Sequence, residues 1–152
     1  MEAIKKHKSM RTQRVEIINE IYRTELLEEH FDYQQIIIDN IELTSLQISR
    51  LNEIQQRYEF IKKIYGKLIN KDWTWDRISP LIRAILINAA NEFWSVESPK
   101  IVINEAIEIT KMFFGSPELD EIETIDNRLY RFVNALLQNF YKTLLHLEMS
   151  TK

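Results

Sequence analysis

Pro99-Lys100-Ile101-Val102-Ile103-Asn104-Glu105-Ala106-Ile107-Glu108-Ile109-Thr110-Lys111-Met112-Phe113-Phe114-Gly115 is the run that decides the fold. Val102, Ile103, Ala106, Ile107, Ile109, Thr110 and Phe113 return at steps of three and four, which places them on one side of a helix. Pro99 suits the first helical position, where a missing N–H breaks no hydrogen bond. Gly115 suits the left-handed position that ends a helix, and Pro117 prevents continuation. The run predicts a helix from Pro99 to Gly115.

The same logic extends in both directions. Ser79-Pro80 is a second start signal. It predicts a helix from Pro80 to about Trp94 that buries Ile82, Ile85, Leu86, Ala89 and Phe93. Ala84, Ala89 and Ala90 are small enough to let a neighbouring helix approach. After Gly115, the acidic stretch 116–123 reads as a surface loop. A last helix follows from about Thr124 to Leu147, with Ile125, Leu129, Phe132, Val133, Leu136, Leu137, Phe140 and Leu144 as its apolar stripe. Upstream, a first helix runs from Ser9 or Met10 to Glu29, carrying Val15, Ile17, Ile18, Ile21, Tyr22 and Leu26. A second spans Tyr33 to about Ile48 and a third reaches about Asn70. No glycine or proline separates these two, so one long helix broken near Thr44–Ser49 is the alternative. Asn70-Lys71-Asp72 is a turn, and Trp73 and Trp75 behind it are packing anchors. No strand is needed, and the fold class is an all-α bundle.

Composition narrows the function classes. The chain has 152 residues, 45% hydrophobic and 28% charged, enough for one domain with a core. No apolar run approaches a bilayer span, and no apolar segment follows the basic start, so the expected location is the cytoplasm. Cysteine is absent, which excludes disulfides, thiolate metal sites and cysteine nucleophiles. Gly66 and Gly115 are too few to build a phosphate-cradling loop. His7, His30 and His146 lie far apart, and Glu28-Glu29-His30 lacks further ligands, so neither a metal nor a cofactor is expected. Charge is uneven. Lys5, Lys6, Lys8, Arg11 and Arg14 against Glu2 give residues 1–14 a balance of +4, in a chain of net charge −3. The remainder therefore carries −7. A basic arm on an acidic body suits a local anionic partner.

Two segments carry a family resemblance. Trp75 to Leu86, with Glu92-Phe93, and Pro99 to Glu108, continuing to Lys111 and Gly115, resemble motifs of the NusB family in order and spacing. Arg131-Phe132-Val133-Asn134 resembles a third, and Arg11, Arg14, Tyr22 and Leu26 stand where the family has its arginine-rich start and its "ALY" segment. The clear similarity covers about residues 73–140. Departures occur at Ala135 (a glycine in the family), at Ile82 (often acidic), at Arg128 and in a longer stretch between Gly115 and Phe132.

The resemblance implies a single domain, 1–152, of about six or seven helices in two packed helical subdomains, 1–70 and 71–148. It implies a non-enzymatic transcription antitermination factor that binds boxA-type RNA of ribosomal RNA leaders. It also implies a partner, the ribosomal protein NusE, and action within the RNA polymerase antitermination complex, either as a monomer or as a homodimer. The expected RNA contacts are Lys5, Lys6, Lys8, Arg11, Arg14, Tyr22, Arg128, Arg131 and Phe132. Periodicity alone places Tyr22 and Phe132 at the core edge; the resemblance assigns them to RNA. Pro99, Asn104, Glu105 and Asn134 are expected to be structural, with Arg83 as the partner of Glu105. A helical module that docks a ribosomal protein, or dimerises, without touching RNA is the alternative. A catalytic role, as in a methyltransferase that carries a similar domain, lacks the nucleophile and cofactor loop.

Overall fold

The computed structural model describes residues 7–69, 74–96, 98–115 and 125–150, with side chains in the last stretch from Leu129 to Glu148. Lys5, Lys6, Trp73, the 70–72 turn, the 116–123 loop and the side chain of Arg128 lie outside the described residues.

Six α-helices and one 3-10 turn make up the described chain: α1 Met10–Leu27, α2 Tyr33–Asp39, α3 Ser45–Leu68, the turn Trp75–Arg77, α4 Pro80–Glu92, α5 Pro99–Phe114 and α6 Ile125–Ser150. There is no strand among the described residues, as the periodicity predicts. None of the described helices is long and apolar enough to cross a membrane.

The helix ends follow from local chemistry. Ser9 caps α1 by accepting from the Thr12 amide at 3.1 Å, and Glu28 closes it in the left-handed region at φ 54°. Predicted to continue to Ile48, the second helix stops at Asp39 instead. The cause is a capping box. Thr44 accepts from the Gln47 amide, and the Gln47 side chain accepts from the Thr44 amide, so a new helix must begin there. Ser98 caps α5, and Gly115 ends it at φ 93°.

α4 is the axis of the molecule. Sequence spacing predicts one buried face, yet every residue from Ile82 to Glu92 is buried. α1 lies along one side of α4, α3 along another, and α5 and α6 close the remainder. A helix enclosed on all sides loses its amphipathic pattern, which explains the stretch Ala84–Ala90, apolar except at Asn88. Phe140 of α6 sits among the rings of α3 and the end of α4: it lies 4.8 Å from Tyr65, 6.1 Å from Phe93 and 6.3 Å from Trp94. Ile82 is fully buried in this core. Phe113 and Leu26, expected inside, are instead exposed.

Trp75 behaves as the predicted anchor. It stacks on Tyr65 at 5.5 Å, and its indole N–H donates to Glu25 at 3.1 Å. Glu25 also accepts from the Tyr58 hydroxyl at 2.7 Å and forms an ion pair with Arg83 at 2.9 Å. Burial and this bond to a carboxylate push the Tyr58 hydroxyl far above its ordinary value.

Candidate nucleic-acid interface

The charged residues of α1 meet the glutamates of the two motif segments. Arg11 donates from Nε to Glu105 Oε2 at 3.0 Å and from Nη2 to Oε1 at 2.9 Å, a two-pronged pair on the surface. The Arg11 side chain is 47% exposed and that of Glu105 is 23% exposed. Three positions along α1, Arg14 is only 6% exposed. Its Nε donates to both Glu92 oxygens at 3.0 and 3.1 Å, its Nη2 lies 2.9 Å from Glu92 Oε1, and its Nη1 lies 3.9 Å from Glu105.

Glu92 has further partners. Arg50 of α3 reaches it at 3.1 Å, and Asn88, one turn earlier on α4, donates at 3.1 Å. Three guanidinium groups and two carboxylates thus form one chain from surface to core, with one positive charge in excess. A buried ion needs this density of partners, because removal from water penalises any charge left uncompensated.

The structure corrects several sequence expectations. Arg14 does not face solvent; its guanidinium is enclosed by carboxylates, which leaves no open face for a phosphate. Glu105 pairs with Arg11 and Arg14, not Arg83. Arg83 belongs to Glu25 and to the backbone carbonyls of Trp75, Asp76 and Ile78. Lys8 is committed as well: Nζ lies 2.8 Å from Glu16, 2.7 Å from the Glu42 carbonyl and 3.5 Å from Gln47. Burial pulls the Glu16 carboxyl up, but hydrogen bonds from Lys8 and Gln47 outweigh it and hold the group below its ordinary value.

The aromatic candidates are half-buried. Tyr22 and Phe132 both pack against the core with part of each ring exposed. Arg11 and Tyr22 share a face of α1, eleven positions and roughly 16 Å apart along the axis. Arg131 and Phe132 stand on α6, which packs chiefly on α5, α4 and α3. Arg131 donates to the Tyr130 hydroxyl at 3.2 Å, and Lys111 lies 5.1 Å from the same ring. Pro99 occupies the first turn of α5, Asn104 is exposed, and Asn134 accepts from Gln138 at 3.4 Å. Ala135 is exposed. Among the described residues, no group of histidines and carboxylates could hold a metal.

Sequence reasoning missed Arg50 and Asn88. The signal was present: Arg50 falls in phase with Ile54 and Ile61 on the apolar stripe of α3, and a charge there needs a buried partner.

The Arg11 hydrogen bond holds the Glu105 carboxyl below its ordinary value of 4.5, against a smaller opposing effect of burial. A depressed folded value means that the pair contributes fully above about pH 4.5 and is lost as pH falls through the folded midpoint. In an NMR titration Glu105 is expected to protonate below 4.5, and Arg11→Ala to move that midpoint upward. A midpoint indifferent to Arg11→Ala would show that the fork is not formed in solution.

The sequence profile of the NusB family matches residues 8–142. The chain belongs to the NusB family. Among relatives, a transcription antitermination protein NusB of Fusobacterium nucleatum is 32% identical over 96 residues, covering 62% of this chain and 55% of that protein. Another with that name, from Staphylococcus epidermidis, is 39% identical over 70 residues, covering 45% of this chain and 46% of its own length. The aligned stretches therefore span about half the length of these NusB relatives. A solved structure of T. maritima NusB superposes with a TM-score of 0.69 at 21% identity, covering 90% of this chain and 93% of that one. That likeness establishes the NusB fold. Within it, the two motif segments meet in space: Glu92 comes from one, Glu105 from the other, and Arg14 lies between them.

Proposed function

We propose that this NusB-family protein is a transcription antitermination factor. It binds boxA-type RNA of ribosomal RNA leaders together with the ribosomal protein NusE, in the cytoplasm and without catalysis. The observation that carries this reading is the Arg11–Glu105 fork. It lies at the solvent edge of a charge chain whose buried part holds α1 in place. Arg11 stays half exposed while Glu105 holds it, so a phosphate that displaced the carboxylate would meet a guanidinium already positioned at the surface.

The roles divide accordingly. Arg11, with Lys5 and Lys6 ahead of it and Arg128 and Arg131 on α6, takes phosphates. Lys8 contributes charge from a fixed position. Tyr22 and Phe132 offer ring faces for bases. Arg14 acts through Arg11 by anchoring the helix, so its replacement tests folding rather than RNA contact.

Titration of a boxA-like RNA across a salt series tests the reading. Arg11→Ala is expected to weaken binding several-fold and to flatten the salt slope by about 0.7, one single-strand phosphate contact. Glu105→Gln removes the competing carboxylate and is expected to tighten binding. Parental affinity and slope in Arg11→Ala would overturn the assignment.

An acidic cavity favours a protein partner as well. It has a volume of about 610 Å³; Glu28, Glu29, Glu59 and Asp76 outnumber Lys62 in its lining, and Glu25 is paired there with Arg83. A basic protein such as NusE suits that lining. Capture of NusE that survives nuclease treatment is expected, and dependence on added RNA would argue against direct docking.

A further inference from the structure

We propose a second contact surface for single-stranded RNA, built by Arg57, Phe60, Lys63 and Lys67 of α3 with Trp94 beyond α4. It rests on the RNA-binding reading above but uses none of its residues. Phe60 is 45% exposed, although α3 has a full apolar stripe elsewhere. Its ring lies 6.2 Å from Trp94 at 55°, so the two rings form an open step rather than a sealed stack. Trp94 is fixed from behind by Phe140, edge-on at 6.3 Å. The guanidinium of Arg57 lies 4.6 Å from the Trp94 ring centre. Arg57 is held there by donation to Asn91 at 2.9 Å and by Glu53 at 3.7 Å.

The charge pattern selects the occupant. Lys63 and Lys67 follow Phe60 by three and seven positions, which keeps them on its flank of the helix. Both are exposed, and neither forms an ion pair with a described residue. Glu53, one turn before Arg57, is already paired with it. Lys62 points to the opposite flank, and Glu59 stands between the two, one turn before Lys63; both line the acidic cavity. The Phe60 flank of α3 therefore carries three cations, Arg57, Lys63 and Lys67, against the carboxylates of Glu53 and Glu59. Rings that accept bases, beside cations spaced along a helix, are the chemistry of a strand that alternates base and phosphate. Asn91 adjoins Glu92, and Arg57 lies two helical turns, roughly 10 Å, beyond Arg50. The surface thus begins beside the charge chain that ends in Arg11.

The full chain is titrated with a short oligouridine and with a boxA-like RNA, using anisotropy over a salt series. Phe60→Ser removes an exposed ring, and Lys63→Ala with Lys67→Ala removes two charges; circular dichroism melts verify folding. Phe60→Ser is expected to weaken both RNAs about fivefold or more. The double lysine variant, which has no packing to lose, is expected to flatten the salt slope by about 1.4. Parental binding by both variants, with Arg11→Ala still impaired, overturns this surface and leaves the amino-terminal one standing. The reverse result overturns the amino-terminal assignment and supports this surface. Unchanged RNA affinity with lost capture of NusE would make the patch a protein-docking face and overturn the proposal.

Discussion

Glu92→Ala is expected to lower the unfolding free energy by about 3–5 kcal/mol, the usual penalty for removing one partner from a buried ion pair. Arg14 and Arg50 both point at this carboxylate, and both are buried. Without it, two guanidinium groups face each other with only the more distant Glu105, 3.9 Å from Arg14, as compensation. At roughly 2–4 °C per kcal/mol for a chain of this size, a thermal melt should fall by about 6–20 °C. Glu92→Gln keeps the shape and an acceptor and should lose less. Replacing Arg14, Arg50 and Glu92 together with apolar residues of similar volume should recover most of the loss, since the ions then vanish as a set. A Glu92→Ala melt within 2 °C of the parent, about 1 kcal/mol or less, would show that water reaches the cluster. The variant also separates scaffold from contact. Where it remains folded, its RNA affinity should fall because α1 is no longer held, and lower temperature should restore part of it.

Arg83→Ala should destabilise by about 3 kcal/mol or more, for a different combination of reasons. Arg83 neutralises Glu25 and donates to the carbonyl oxygens of Ile78, Asp76 and Trp75 at 2.9, 3.2 and 3.3 Å. It also reaches the Glu25 carbonyl at 3.3 Å. One side chain thus ties the end of α1 to the turn that feeds α4. Its removal leaves a buried carboxylate without its counter-charge and takes a donor from each of those carbonyls, of which Trp75 keeps the Ile78 amide at 3.1 Å. Arg83→Lys should recover only part of the stability, because a single ammonium cannot span the fork. Amide exchange around 75–78 should accelerate more than exchange in α5 or α6. Uniform acceleration throughout would mean that Arg83 supports the whole core rather than this junction.

The two predictions share a cause that the sequence only half disclosed. Glu92 and Glu105 stand in the motif segments, and Arg11 and Arg14 in the basic start, so all four residues were visible as important. Their pairing was not. Arg11 and Arg14 look equivalent as neighbours on one helix, yet the first is exposed and the second enclosed. Likewise Arg83 looks like a suitable partner for Glu105, but Glu25 claims it from a position 58 residues away along the chain. The Thr44–Gln47 capping box was legible in principle, being a local pattern. Without a glycine or proline beside it, the apolar periodicity on either side concealed the break.

Helix identity, the starts at Ser9 and Pro99, the stop at Gly115 and the all-α class were determined by the sequence itself. Each depends on residues within one or two turns of one another, where spacing and backbone preference suffice. Tertiary structure alone decided that α4 is enclosed on every side and that Arg14 and Glu92, 78 positions apart, neutralise each other. Burial and charge pairing depend on which distant segments meet, and desolvation makes those meetings compulsory without writing them into any local period.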